Sequence, residues 1–179
     1  MYIKKISSYG FGLISSLFYI YFSILEENKL KLLDVQNLKN VDEKENISKF
    51  KSLYYSSYLG IVPTLFCYYN NKKILFFTHL MTTFTSINYW RNPKFSWRRT
   101  LDVHTTRLTA LYNIYNALFV YYPSLHYTYI PVMSLCCLSY PYGIYNYSNK
   151  KYLNFVNIHL LCQILGCTST VILSFSKPK

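Results

Sequence analysis

Long stretches without a charge alternate along this chain with short charged ones, and the lengths of the uncharged stretches predict its elements. About 20 apolar residues cross the hydrocarbon core of a bilayer, and a charge at its centre costs about 2.5–3.5 kcal/mol. By that measure residues 6–25, 52–70 and 74–90 are three spans, the last closed by Arg91. Residues 108–149 carry no charge and are too long for one crossing. Proline lacks a backbone donor and disfavours helix at the residue before it, so Pro123 divides this run into a fourth span near 104–122 and a fifth near 125–147. A sixth covers 152–176. The fold class expected is all-α, a polytopic transmembrane helical bundle of about six spans, forming a single membrane domain over residues 1–179. Pro131 and Pro141 predict a kinked or partly unwound fifth helix.

Polar residues inside the spans recur at helical spacing. In the third span His79, Thr82, Thr83 and Ser86 share one face, with Trp90 one turn further on. Thr105, Thr109, Asn113 and Asn116 do the same in the fourth, and His159, Gln163, Gly166 and Thr170 in the sixth. Such faces turn away from lipid and toward each other, where hydroxyl, amide and imidazole groups bond across helices for roughly 0.6–2 kcal/mol each. They would form either helix-to-helix glue or a buried polar cavity able to hold a ligand.

Charge then sets the orientation. Residues 26–51 hold six of the seven acids and six lysines, and form a solvated extramembrane loop with room for a short amphipathic helix carrying Leu30, Leu33, Leu38 and Val41. The first span follows Lys4 and Lys5 but has no small-residue cleavage site at "SILEEN", so an uncleaved anchor is expected. Of the nineteen Lys and Arg, six lie at the amino end, at Lys72-Lys73 and in the carboxyl tail; the other thirteen lie on the opposite side. The positive-inside rule puts the 26–51 loop, the Trp/Arg segment and Lys150-Lys151 on the cytoplasmic or matrix side. The sequons at Asn46 and Asn146 fall there too and would stay unglycosylated.

Composition agrees with a membrane setting. Of 179 residues, 51% are hydrophobic and 20% aromatic, with 21 tyrosines, while 15% are charged against roughly 25% in a soluble domain. The mean hydropathy of +0.08 is low because the scale counts tyrosine as polar. Abundant Lys, Asn, Ile and Tyr with only two alanines resembles the product of an AT-rich genome, a bias that would inflate Lys, and with it the net charge of +12, throughout the chain. That charge is interleaved with spans on both faces, so nucleic acid is not an expected partner. Cys67, Cys136, Cys137, Cys162 and Cys167 all fall in apolar stretches and read as small buried hydrophobes, without CxxC spacing or a histidine cluster. Gly-rich phosphate loops, GxSxG and HExxH are absent from the sequence.

One segment stands apart. "SINYWRNPKFSWRRTLDVHTTR", residues 86–107, holds both tryptophans and all four arginines. Tryptophan favours the headgroup level and arginine pairs bidentately with phosphate, so Trp90, Arg91, Trp97, Arg98, Arg99 and Arg107 suit an interfacial loop at 91–103. Its partners would be anionic lipid headgroups, or an acidic surface of another membrane protein. Asp102 is the only acid after residue 45; it either pairs with Arg98, Arg99 or Arg107 or serves as a ligand-holding carboxylate.

Ser86-x3-Trp90, Asp102 and His159-x3-Gln163 stand in an order that resembles the CREST superfamily, which contains the alkaline ceramidases and the progestin and adiponectin receptors. That family's pattern is Ser-x3-His, Asp and His-x3-His, with three histidines holding zinc. The resemblance implies a lipid-binding or lipid-hydrolysing protein with Ser86, Asp102 and His159 in its site. Trp90 and Gln163 replace two of the zinc ligands, and the usual seven helices are one short, so the pattern fits a degenerate, non-catalytic relative without zinc. Residues 86–102 also look like a stretch in uncharacterised multipass membrane proteins of large DNA viruses and algae-like protists. The function expected is that of a non-enzymatic multi-pass membrane protein, structural or scaffolding, or a subunit of a larger assembly. A CREST-like lipid protein and a small transporter are the alternatives. No cofactor is expected.

Overall fold

The computed structural model describes residues 50–93, 97–120, 126–149 and 151–177. The expected first span, nearly all of the 26–51 loop and the break at Pro123 lie outside the described residues. Everything regular within them is helical, with no strand. Helix α1 (Lys51–Ser57), a 3-10 turn (Tyr58–Gly60) and α2 (Ile61–Tyr69) follow one another as one rod. Helices α3 (Lys73–Trp90) and α4 (Trp97–Tyr115) come next, the latter extended by a π-helical turn at Asn116–Val120. Helices α5 (His126–Ser148) and α6 (Tyr152–Ser174) complete the described fold.

Local chemistry accounts for these boundaries. Pro63 sits in the first turn of α2, where its missing N–H costs little. Asn71 ends α2 with φ 56°, and Lys72 N donates to Cys67 O at 2.8 Å while Asn71 N donates to Tyr68 O at 3.0 Å. This is a Schellman turn, and asparagine tolerates its left-handed position better than any residue but glycine. Three residues therefore suffice to reverse the chain into α3.

Two differences from the sequence expectation concern prolines and arginines. Helix α5 stays helical through Pro131 and Pro141. Each proline removes one rung, but α6 packs along α5 from Asn154 against Asn146 to Cys162 against Cys136, and that packing holds the helix. Helix α4 begins at Trp97, so the second half of the expected 91–103 loop is helical. The segment from Trp97 to Asp102 has neither glycine nor proline and contains the good helix formers Arg98, Arg99 and Leu101.

The rods run up and down and bury two apolar clusters. At one end Phe50, Leu53, Trp90, Ile144, Phe155 and Val156 gather with several tyrosines. At the other, Cys67, Leu75, Ala117, Tyr129, Met133, Cys137 and Leu173 pack together. Between α3 and the α1–α2 rod the approach is close. A Cβ on Gly60 would meet Thr83 Cβ and Cγ2 at 3.1 Å and Oγ1 closer still, whereas one on Gly166 would meet nothing within 4 Å. Among the described residues one helix, α6, is long and apolar enough to cross a membrane.

These two glycines are expected to respond oppositely to alanine. Gly60→Ala should destabilise the fold by about 1–3 kcal/mol, because the β-branched Thr83 must move. Gly166→Ala should stabilise it by about 0.5–1 kcal/mol through helix propensity. Thermal unfolding of the purified protein in detergent checks both signs.

Candidate functional site

A ladder of polar pairs runs along the face between α3 and α4. At its deep end Asn113 Nδ2 donates to His79 Nε2 at 3.0 Å and to Thr170 Oγ1 at 3.1 Å, and Thr170 Oγ1 lies 2.8 Å from the same imidazole nitrogen. This triangle joins α3, α4 and α6, and all three side chains are buried. One turn along, Thr82 Oγ1 and Thr109 Oγ1 are 2.8 Å apart, and Thr109 also donates to Thr78 O at 3.3 Å. A further turn on, Thr85 Oγ1 lies 2.8 Å from Thr105 Oγ1 and 3.2 Å from Asp102 Oδ1. Ser86 Oγ closes the ladder by donating to Asp102 Oδ1 at 2.5 Å. Each step down α3 is a step up α4, as an antiparallel pair with polar residues every three or four positions requires.

The sequence-predicted residues divide among different surroundings. His79, Thr82, Ser86, Thr105, Thr109 and Asn113 meet in the ladder. Asn116 is buried but donates back to Tyr112 O of its own helix at 2.7 Å. Thr83 faces Gly60 instead. The third stripe splits: Thr170 joins His79, whereas Gln163 turns to α1, hydrogen-bonding with Ser56 and, at 3.5 Å, with Ser57. His159 packs against the rings of Trp90 at 5.0 Å, Phe155 at 5.5 Å and Tyr140 at 6.4 Å. Thr85 was not among the expected site residues, yet it is 3% exposed and links Asp102 to Thr105. Its spacing of seven from Thr78 and three from Thr82 is the signal that marks it.

The Trp/Arg segment has two faces. Trp97 is 70% exposed, but Trp90, expected in the docking set, is 6% exposed and packs between Phe50, tilted against it, and His159, edge-on to it. The reason is helical phase, since Trp90 lies one turn beyond the inward-facing Ser86. Arg91 is exposed, and Arg98, Arg99 and Arg107 are half-buried. Asp102 bonds to the hydroxyls of Ser86 and Thr85, with the charge of Arg99 nearby. It precedes the fourth apolar span, and burial pushes its carboxyl up to about 6, opposed by those two hydroxyls and by Arg99.

The zinc implied by the CREST resemblance does not fit the residues present. His159 is enclosed by aromatic rings, the Gln163 amide is engaged by two serines, and the described residues contain no group of three His, Cys, Asp or Glu able to hold a metal. What the arrangement does provide is a hydroxyl–carboxylate pair, Ser86 and Asp102, at the end of a hydrogen-bonded spine. Comparison with family models, with curated proteins and with solved structures finds no match in any of the three.

The raised carboxyl carries a pH signature. Asp102 binds its proton more tightly in the folded chain than at its ordinary value of 3.8, so this group adds stability as the pH falls through about 6 toward 4, and the ionised carboxylate is a cost above that window. Asp102→Asn removes the linkage. The stability of the unmodified protein relative to Asp102→Asn is therefore expected to rise when thermal unfolding is measured at successively lower pH across that window, and a flat difference would contradict the burial of this carboxylate.

Proposed function

We propose that the chain is a multi-pass integral membrane protein of about six spans, non-enzymatic, acting as a structural element or as a subunit of a larger membrane assembly. The observation that carries this reading is the inversion of the usual interior. Nearly as many polar as apolar side chains are buried, among them His79, Asn113, Ser169 and Thr170. Meanwhile Phe77, Phe84, Leu108, Phe119, Leu138 and Leu153 are each more than half exposed. Water would penalise that distribution, since soluble monomers rarely expose contiguous apolar patches beyond a few hundred Å². Lipid rewards it, because outward apolar groups are solvated by acyl chains while inward polar groups bond across helices or to the carbonyls of their own helix.

Lengths agree. Helix α3 has 18 residues and α5 and α6 have 23 each, or about 27 and 35 Å at 1.5 Å per residue, close to the ~30 Å hydrocarbon core. The aromatic end of the bundle coincides with the arginine-rich side, where Trp97, Arg91 and Arg98 are suited to anionic headgroups. The ladder is read as helix packing rather than a reaction site, since every threonine in it has a cross-helix partner.

A second reading, a CREST-like lipid-binding protein, is favoured by one observation: the residues carrying that resemblance adjoin in pairs, Ser86 with Asp102 and Trp90 with His159.

Three experiments separate these readings from their competitors. After alkaline carbonate extraction the chain is expected to remain in the membrane pellet, and glycosylation acceptors inserted at Lys72-Lys73 or in the carboxyl tail should be modified while those at Lys150-Lys151 stay bare. Release into the supernatant would overturn the integral-membrane reading. Elemental mass spectrometry of the purified chain is expected to find no stoichiometric zinc; about one zinc per chain, lost in His159→Ala, would replace the structural reading with a metal-dependent one.

A further inference from the structure

Five free thiols are present, and two of them face each other on different helices. Cys136 Sγ of α5 lies 3.4 Å from Cys162 O, and Cys162 Sγ of α6 lies 3.8 Å from Cys136 O. This reciprocity means that each side chain lies against the other's backbone, the close approach that a disulfide between helices requires. The seam is held in register on the side toward the α5–α6 turn. Asn154 donates to Asn146 Oδ1 at 3.5 Å, and Gly143 admits Ile158 so closely that a Cβ there would meet its Cγ2 at 3.3 Å. By contrast Cys137, the next residue, belongs to the core cluster with Tyr129 and Met133.

Position selects the chemistry that can reach this pair. Cys136 and Cys162 each stand ten residues into a 23-residue helix, at the middle of the hairpin. Both are half-buried, between the exposed Leu135 and Leu138 on α5 and the exposed Leu161 and Ile164 on α6. The approach is thus from the apolar outer surface of the bundle, at about 15 Å from either helix end.

We propose that Cys136 and Cys162 are a redox-active dithiol that closes into a disulfide stapling α5 to α6, with a neutral, lipid-soluble two-electron acceptor of the quinone or azo class as oxidant. One S–S bond forms and two S–H bonds break; the two electrons and two protons pass to the acceptor, which becomes the hydroquinone or hydrazine. The choice of acceptor rests on the membrane-embedded reading, whereas the pairing of the thiols does not.

The test uses the full chain in lipid nanodiscs, treated either with the azo oxidant diamide or with oxidised glutathione, followed by alkylation, intact mass and non-reducing peptide mapping. Diamide is expected to remove about 2 Da and to link the peptides holding Cys136 and Cys162. Cys136→Ser or Cys162→Ser should abolish the link, while Cys137→Ser and Cys167→Ser retain it. A chain whose Cys136 and Cys162 are both still alkylated after unfolding, or one linked through Cys137 or Cys167 instead, overturns the dithiol. Relative to rates on the same chain unfolded in SDS, oxidised glutathione should be slower than diamide by about tenfold or more. Equal relative rates, with the same link formed, would support the dithiol and overturn the membrane-embedded reading that selects its oxidant.

Discussion

A buried hydroxyl, amide or imidazole that its own helix does not satisfy must find its partner on a neighbouring helix, and that requirement sets the register of α3 against α4. Hydrophobic contact alone cannot do so where the surroundings are as apolar as the contact, because sliding one helix past another exchanges one apolar neighbour for another. The triangle of His79, Asn113 and Thr170 has no such freedom. Its donors and acceptors lie 2.8–3.1 Å apart, and a shift of a single turn would break all three contacts at once. The threonine pairs and the Ser86–Asp102 bond repeat that constraint toward the arginine-rich end, so the register is fixed at four levels rather than one.

From this spine the two ends of the bundle acquire different characters. Toward the arginine-rich side the ladder ends on a carboxylate, beside an aromatic cluster in which Phe50 meets Trp90, Tyr147, Tyr152 and Phe155 at 5.9–6.4 Å. Rings of this kind fill space rigidly and leave their polar edges for the interface. Toward the other side the core is built from Leu, Met, Ala and thiols with one ring, Tyr129, and α4 widens into its π-helical turn beside them. Lys72 Nζ reaches Ser176 O at 2.7 Å there, tying the α2–α3 turn to the end of α6.

Much of this was legible in the sequence, and the exceptions have physical reasons. Charge-free length located the described helices to within a few residues, except that α4 starts earlier, since charged residues such as Arg98 and Arg99 are themselves good helix formers. Spacing identified which side chains share a face but not which faces meet: Gln163 and Thr170 belong to one stripe, yet one bonds to α1 and the other to α3, because a 23-residue helix passes more than one neighbour. Asp102 suggested an arginine partner by charge, and Arg99 does lie near it, but charge gave no sign of the hydrogen bonds from Ser86 and Thr85, which the geometry of two antiparallel helices supplies. The prolines of α5 argued locally for unwinding, yet the helix continues through both of them. Cys136 and Cys162, 26 residues apart in sequence, carry no local sign of being opposite one another.

The central claim is that apolar side chains face lipid while polar ones face each other, and nitroxide accessibility tests it most directly. Spin labels at Phe84, Leu108 and Leu153 in a reconstituted bilayer are expected to relax strongly with oxygen, which partitions into lipid, and weakly with a water-soluble nickel chelate. A label at the solvent-side Arg91 should show the reverse. Strong relaxation of the first three labels by the nickel chelate would mean that those faces meet water, and the account of the fold as a membrane bundle built on a buried polar spine would be wrong.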